Sequence, residues 1–201
     1  MARARSICGG GSSLKVAKSV KRHNSGTGII CCDPFSGDVN MWDWEKDSRI
    51  LGNDGKPYKF LGLENGIPTI YQRFLANIFF NGHNDVITPI QATSVVGIKL
   101  IKRLFEQKRI SIQPTVIYLD SAHEIDETYL ELVNAWNCLP SGGILFGDDW
   151  MWEAVQADVL KFSIEVLVDH DRLEKAMNHI MNSELAGNIF LFQGQWVLFK
   201  K

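Results

Sequence analysis

The chain has 201 residues, enough to close a hydrophobic core, and 45% of them are apolar against 22% charged, the composition of a globular protein. Its formal net charge of −2, without any basic stretch, argues against DNA or RNA as the main partner. No run of roughly 18 apolar residues exists, which excludes a transmembrane helix, and the opening MARARSICGGGSS lacks the apolar centre of a secretory signal.

In chain order, residues 13–23 (SLKVAKSVKRH) place Leu14, Ala17 and Val20 at helical spacing, which predicts a helix. Residues 28–32 (GIICC) form a short apolar run that predicts a strand ending at Asp33. Residues 36–67 are glycine-rich and show no convincing periodicity. A stretch of that length in a small domain predicts a lid or loop with a function. A helix is expected over 69–80, a strand over 86–90 (VITPI), and a helix over 94–107 with Val95, Ile98, Ile101, Leu104 and Phe105 on one face. The run 115–119 (TVIYL) predicts a strand, 127–137 a helix, 143–146 (GILF) a strand and 150–162 a helix. Residues 189–193 and 195–200 flank Gly194 as an antiparallel hairpin would.

Strands alternating with helices predict an α/β fold with a mostly parallel sheet, closed here by the C-terminal antiparallel hairpin. A single domain over 1–201 is expected, with the lid as an insert. The short lead before the glycines leaves open a domain cut from a longer protein. Cys8, Cys31, Cys32 and Cys138 show neither a CxxC pair nor metal spacing. Reduced thiols, and hence the cytoplasm, are the expectation.

Two constellations carry chemistry. Gly9, Gly10, Gly11, Ser12 and Ser13 stand directly before the first predicted helix, where free backbone N–H groups can meet a ligand. A tight turn or a tag remnant is the plainer alternative. Asp33, at the end of the following strand, can accept both ribose hydroxyls of an adenosine cofactor, or it can cap the turn before Pro34. Leu14 stands where a strict Gly-x-Gly-x-x-Gly fingerprint needs its third glycine, which disfavours a nicotinamide dinucleotide.

The second constellation is TVIYLDSAHEIDE together with GGILFGDDW. Asp120 ends one predicted strand, Asp148 and Asp149 follow the next, and ligands bind outside the carboxyl ends of parallel strands. Carboxylates gathered at one point repel, and a hard divalent cation would compensate them. His123, three residues after Asp120, suits a general base. The plainer reading makes these aspartates helix caps and His123 a surface residue. Trp42, Trp44, Trp150 and Trp152 could stack against an acceptor or pack in the core, whereas Trp136 and Trp196 read as core.

The order GGGSS, ICCDPFSGD, ITPIQATS, VIYLDSAHEIDETYLELVNAW, LPSGGILFGDDW resembles class I S-adenosylmethionine-dependent methyltransferases, and more narrowly the macrocin O-methyltransferase type, which methylates sugar hydroxyls with magnesium. The resemblance runs from about Ile7 to the terminal QWVLFKK. It implies a Rossmann-like class I fold and two cofactors, S-adenosylmethionine and Mg2+. Gly9 to Ser13 would hold the amino-acid end of the cofactor and Asp33 the ribose, with Gln91 and Ser94 by the adenine. Asp120, Asp148 and Asp149 would bind magnesium, with Asp120 also beside the cofactor and in the catalytic pair, and His123 would be the base. The family's Glu-x-Gly-x-x-x-Gly pattern is kept only at its last glycine, Gly11, since Arg5 and Ile7 occupy the first two places.

The resemblance implies a small-molecule or glycan acceptor, neither nucleic acid nor membrane as partner, and leaves a homo-oligomer or a fusion open. Three other readings stand beside sugar methylation: O-methylation of a catechol-like phenol, a metal-dependent glycosyltransferase, and a cofactor-binding domain without activity.

Overall fold

A computed structural model describes residues 10–23, 26–37, 41–42, 57–120, 123–167, 189–192 and 194–200. They form two compact units, divided between Thr93 and Ser94.

The first unit begins with α1 (Gly11–Arg22), which starts two residues earlier than expected. Gly11, Ser12 and Ser13 are therefore its first turn, not a loop before it. Gly10 is the N-cap with φ 81, and a β-carbon there would lie 2.9 Å from Phe74 Cδ2. Both the left-handed backbone and the lack of room call for glycine. Strand β1 (Ile29–Asp33) pairs in parallel with β4 (Ile87–Gln91), in a register that sets Asp33 opposite Gln91. Between them lie α2 (Pro57–Leu61), β2 (Leu63–Glu64), β3 (Ile67–Pro68) and α3 (Ile70–Phe80).

The β2–β3 hairpin corrects the expectation of an aperiodic stretch over 36–67, most of which otherwise lies outside the described residues. Its turn is Asn65-Gly66 with φ 51 and 80, the two consecutive positive values that a tight hairpin requires. The unit's core gathers Ala17 from α1, Phe35 after β1, Leu61, Ile87, and Ile70, Phe74 and Ile78 from one face of α3. The Phe35 ring meets those of Tyr71 and Phe74 at 4.9 and 5.0 Å between centroids.

The second unit contains α4 (Ser94–Glu106), β5 (Val116–Leu119), α5 (Glu127–Cys138), β6 (Ile144–Gly147), α6 (Glu153–Phe162), a π-helical turn (Ser163–Leu167), β7 (Phe190–Phe192) and β8 (Gln195–Phe199). The strand order is β5-β6-β8-β7, with β5 and β6 parallel and the β7–β8 hairpin antiparallel at the far side. Helix α5 packs against both α4 and α6. Leu132, Ala135, Leu145, Val159, Phe162, Trp196 and Leu198 are almost completely enclosed. Burying one large side chain of this kind contributes about 1.5–3 kcal/mol.

Helix α6 begins at Glu153, three residues later than expected. Residues 149–152 form a turn instead, in which the Trp152 N–H donates to the Asp149 carbonyl at 2.9 Å and Asp149 itself has φ 58. Among the described residues no helix is long and apolar enough to cross a membrane. Cys31, Cys32 and Cys138 are free thiols.

Candidate active site

Parallel pairing of β5 with β6 sets Leu119 opposite Gly147, so Asp120 and Asp148 leave adjacent strands at the same level. The Asp148 N–H donates to the Leu119 carbonyl at 3.1 Å, which carries the ladder one residue past the strands. Asp149 then turns away in the left-handed conformation, uncommon outside glycine and frequent at functional sites.

That turn carries the Asp149 carboxylate to His123, with Nε2 and Oδ2 2.7 Å apart. One ligand atom each from Asp120, His123 and Asp149 lies within 4.8 Å of the others, and Asp148 is not in that group. Trp152 lies against the His123 ring, 4.8 Å between centroids and tilted by 33°. It is about half exposed and so contributes to neither the core nor a closed wall. Thr128 and Glu131, both buried, and Trp196 line the same cleft.

Electrostatics within the cleft match the crowding. The Asp120 carboxyl is pushed up to about 7, chiefly by burial and then by the charges of Asp149 and Asp148, against the opposing pull of the Tyr118 hydroxyl and His123. Tyr118 is pushed far above the usual phenol range by burial and by Asp120 and Asp148. A cation would relieve the strain of gathering these carboxylates. A donor set of two carboxylates and one imidazole, with Asp148 close by, fits a small divalent ion.

Several groups that shape this site gave no signal in the sequence. Tyr118, within the apolar run, places its hydroxyl 3.1 Å from Asp120 Oδ2 and 3.2 Å from Asp148 Oδ2. Asp158, 1% exposed on α6, accepts the backbone N–H of Asp126 at 3.1 Å and of Tyr129 at 3.0 Å. It thereby caps the start of α5, just after His123. Trp196 was expected in the core and is there, yet it also borders the cleft, and its buried Nε1–H has no acceptor among the described residues. Buried Glu131 accepts the hydroxyl of Ser94, the residue expected by the adenine.

In the first unit, Asp33 ends β1 as expected, and burial raises its carboxyl. Its Oδ1 accepts the Phe35 N–H at 2.5 Å, the side-chain turn around Pro34 that formed the plainer reading. A carboxylate offers about four acceptor positions, so this bond leaves capacity for ribose hydroxyls. Gln91 lies opposite it, with Nε2 3.4 Å from the Pro34 carbonyl. Gly10 supplies no side-chain cap to α1, whose first turn also lacks an acid. That leaves the positive end of the helix suited to an anionic group such as a cofactor carboxylate. The groups assigned to S-adenosylmethionine in this unit therefore fit it. Gly9 and Trp44 lie outside the described residues. Trp42 donates from Nε1 to the Ser36 carbonyl at 2.9 Å.

Comparison with known proteins identifies the family. A family profile described as "Methyltransferase domain" matches residues 7–150. No curated protein matches the sequence. Among solved structures, the chain is similar to CalS11, a calicheamicin methyltransferase, at 14% identity and a TM-score of 0.48, over 96% of this chain and 69% of that one. It is similar to the O-methyltransferase from Bacillus cereus in complex with SAH at 11% identity and TM-score 0.42, over 94% and 80%. It is also similar to MycE methyltransferase of the mycinamycin pathway, in complex with Mg, SAH and mycinamycin VI, at 12% identity and TM-score 0.38, over 94% and 49%. Likenesses this distant say nothing about the acceptor. The profile spans most of the chain, and the chain belongs to the methyltransferase-domain family, as an S-adenosylmethionine-dependent methyltransferase with the α/β elements of the Rossmann-like class I type, parallel strand pairs and a C-terminal antiparallel hairpin.

Proposed function

We propose that this methyltransferase acts on oxygen, methylating a hydroxyl of a sugar, a deoxyhexose such as rhamnose, free or within a glycan, with magnesium assisting. The supporting observation is the meeting of Asp120, His123 and Asp149, with His123 held at 2.7 Å by Asp149. Family membership sets the glycosyltransferase reading aside.

S-adenosylmethionine supplies, when bound, a methyl group already activated as a sulfonium. Magnesium supplies, when bound, a charge that orients neighbouring hydroxyls and makes one of them more acidic. The chain's own residues do the rest. Gly10, Gly11, Ser12 and Ser13, with Gly9, would take the amino-acid end of the cofactor, Asp33 its ribose, and Gln91 and Ser94 its adenine. Asp120 and Asp149, with Asp148 alongside, would hold the ion. His123 takes the hydroxyl proton as the acceptor oxygen forms its bond to the methyl carbon and the carbon–sulfur bond breaks. Asp149 orients the imidazole for that transfer, and Trp152 backs its face. His123 stands among the possible ligands, but magnesium prefers oxygen donors, which leaves the imidazole for the proton.

The acceptor is thus a small molecule or glycan, and the free thiols suit a reducing cytoplasm. The test is methyl transfer to a panel of acceptors: nucleotide-linked and glycosidic deoxyhexoses against catechols. Transfer to sugars supports the reading. Transfer to catechols alone replaces it with the phenol alternative, and SAH binding without transfer to any acceptor replaces it with a non-catalytic domain.

A further inference from the structure

Tyr118 is the second-to-last residue of β5 and lies opposite Phe146 of β6. The two rings are 4.8 Å apart between centroids and tilted by 35°, so the phenol is held by its ring and not only by its hydroxyl. That hydroxyl lies almost equally close to Asp120 Oδ2 and Asp148 Oδ2, at 3.1 and 3.2 Å. A hydroxyl has one proton to donate, so the two carboxylates share it. Asp120 also belongs to the group whose ligand atoms fall within 4.8 Å, whereas Asp148 does not. The two consecutive aspartates after β6 are thus directed to different tasks. Asp149 faces His123, and Asp148 is joined through Tyr118 to Asp120.

Resting on the magnesium reading above, we propose that Tyr118 is a positioning residue for the ion: it ties Asp148 to Asp120, so that Asp148 orients the Asp120 carboxylate from outside while Asp120 and Asp149 supply the carboxylate ligands. Carboxylates that hold metals are commonly held in turn by hydrogen bonds, and losing such an outer partner costs about 10–100-fold in metal affinity.

The test measures Mn2+ binding to the full chain by the electron spin resonance of the free ion, which needs no turnover. The set is the wild type, Tyr118→Phe, Asp148→Asn, the double variant, and Asp149→Asn. The phenylalanine keeps the ring packed on Phe146, and Asp148→Asn probes the same link from its other end should the first variant fold poorly. Wild-type binding is expected to weaken about tenfold in each of Tyr118→Phe and Asp148→Asn. The double variant is expected to be no weaker than either single one, because both changes cut one link. Asp149→Asn is expected to abolish binding. Unchanged affinity in Tyr118→Phe, losses that multiply in the double variant, or abolished binding in Asp148→Asn would each overturn the positioning role and leave the magnesium reading standing. A wild type that binds no Mn2+ would overturn both.

Discussion

Gly147 lies so close to the Trp196 indole that a β-carbon on it would sit 2.2 Å from Cζ2 and 2.5 Å from Cε2. The Leu119 carbonyl would be 2.8 Å away. Since Trp196 is 1% exposed, it has no room to retreat, and the glycine is what lets the indole reach the strand end that carries Asp148 and Asp149. Gly147→Ala should therefore lose about 1–3 kcal/mol of stability through overpacking. Urea unfolding checks this: the midpoint should fall with an unchanged slope, and an unmoved midpoint would show that the site relaxes freely.

Asp158 holds the start of α5 by two backbone N–H groups from inside the protein. Asp158→Ala takes the acceptor from both N–H groups and uncaps the helix, for an expected loss of about 1–3 kcal/mol. Because His123 lies just before the turn so capped, turnover should drop more than stability alone explains at a temperature where the variant stays folded. Full turnover in the folded variant would show that the turn keeps its shape without the cap.

Much of this arrangement is legible in the sequence, for a physical reason. Short apolar runs ending in Asp120 and Asp148 announce neighbouring parallel strands, and parallel pairing sets their carboxyl ends side by side. The spacing of Asp120 and His123 then suggests the site. What escapes is whatever depends on partners far along the chain. Tyr118 reads as one more strand residue until β6 is placed beside β5. Asp158 and Glu131 lie within predicted helices and carried no signal of their own, although both are buried. The late start of α6 follows from the left-handed turn at Asp149, which no local propensity announces. The β2–β3 hairpin is different: Asn65-Gly66 is a strong turn signal that the glycine-rich surroundings obscured.

Burial, followed by the neighbouring Cys31 and Asp33, pushes the Cys32 thiol up to about 11. At pH 8 its thiolate fraction in the folded protein is then ~0.1%, roughly a hundredfold below an ordinary protein thiol, and the thiolate is the reactive form. Iodoacetamide should label Cys32 about a hundredfold more slowly in the native protein than in urea. The sign of the linked stability follows: the folded state holds this proton more tightly, so its contribution is complete below about pH 9 and is lost as the pH rises towards 11. Native labelling as fast as unfolded labelling would contradict this.

His123→Ala should bind S-adenosylhomocysteine with affinity within about twofold of wild type, yet lower kcat by about 10²–10⁴-fold, the usual worth of a general base. Calorimetry and single-turnover assays read the two quantities separately. Turnover at the wild-type rate would remove His123 from the reaction.

The central claim is that the Asp120, His123 and Asp149 group works with magnesium to methylate a sugar hydroxyl. The most direct measurement follows methyl transfer from S-adenosylmethionine to a deoxyhexose acceptor with magnesium, after chelation, and after magnesium is restored. The account predicts transfer that chelation abolishes and added magnesium recovers. Transfer that proceeds equally well in the chelator would contradict it.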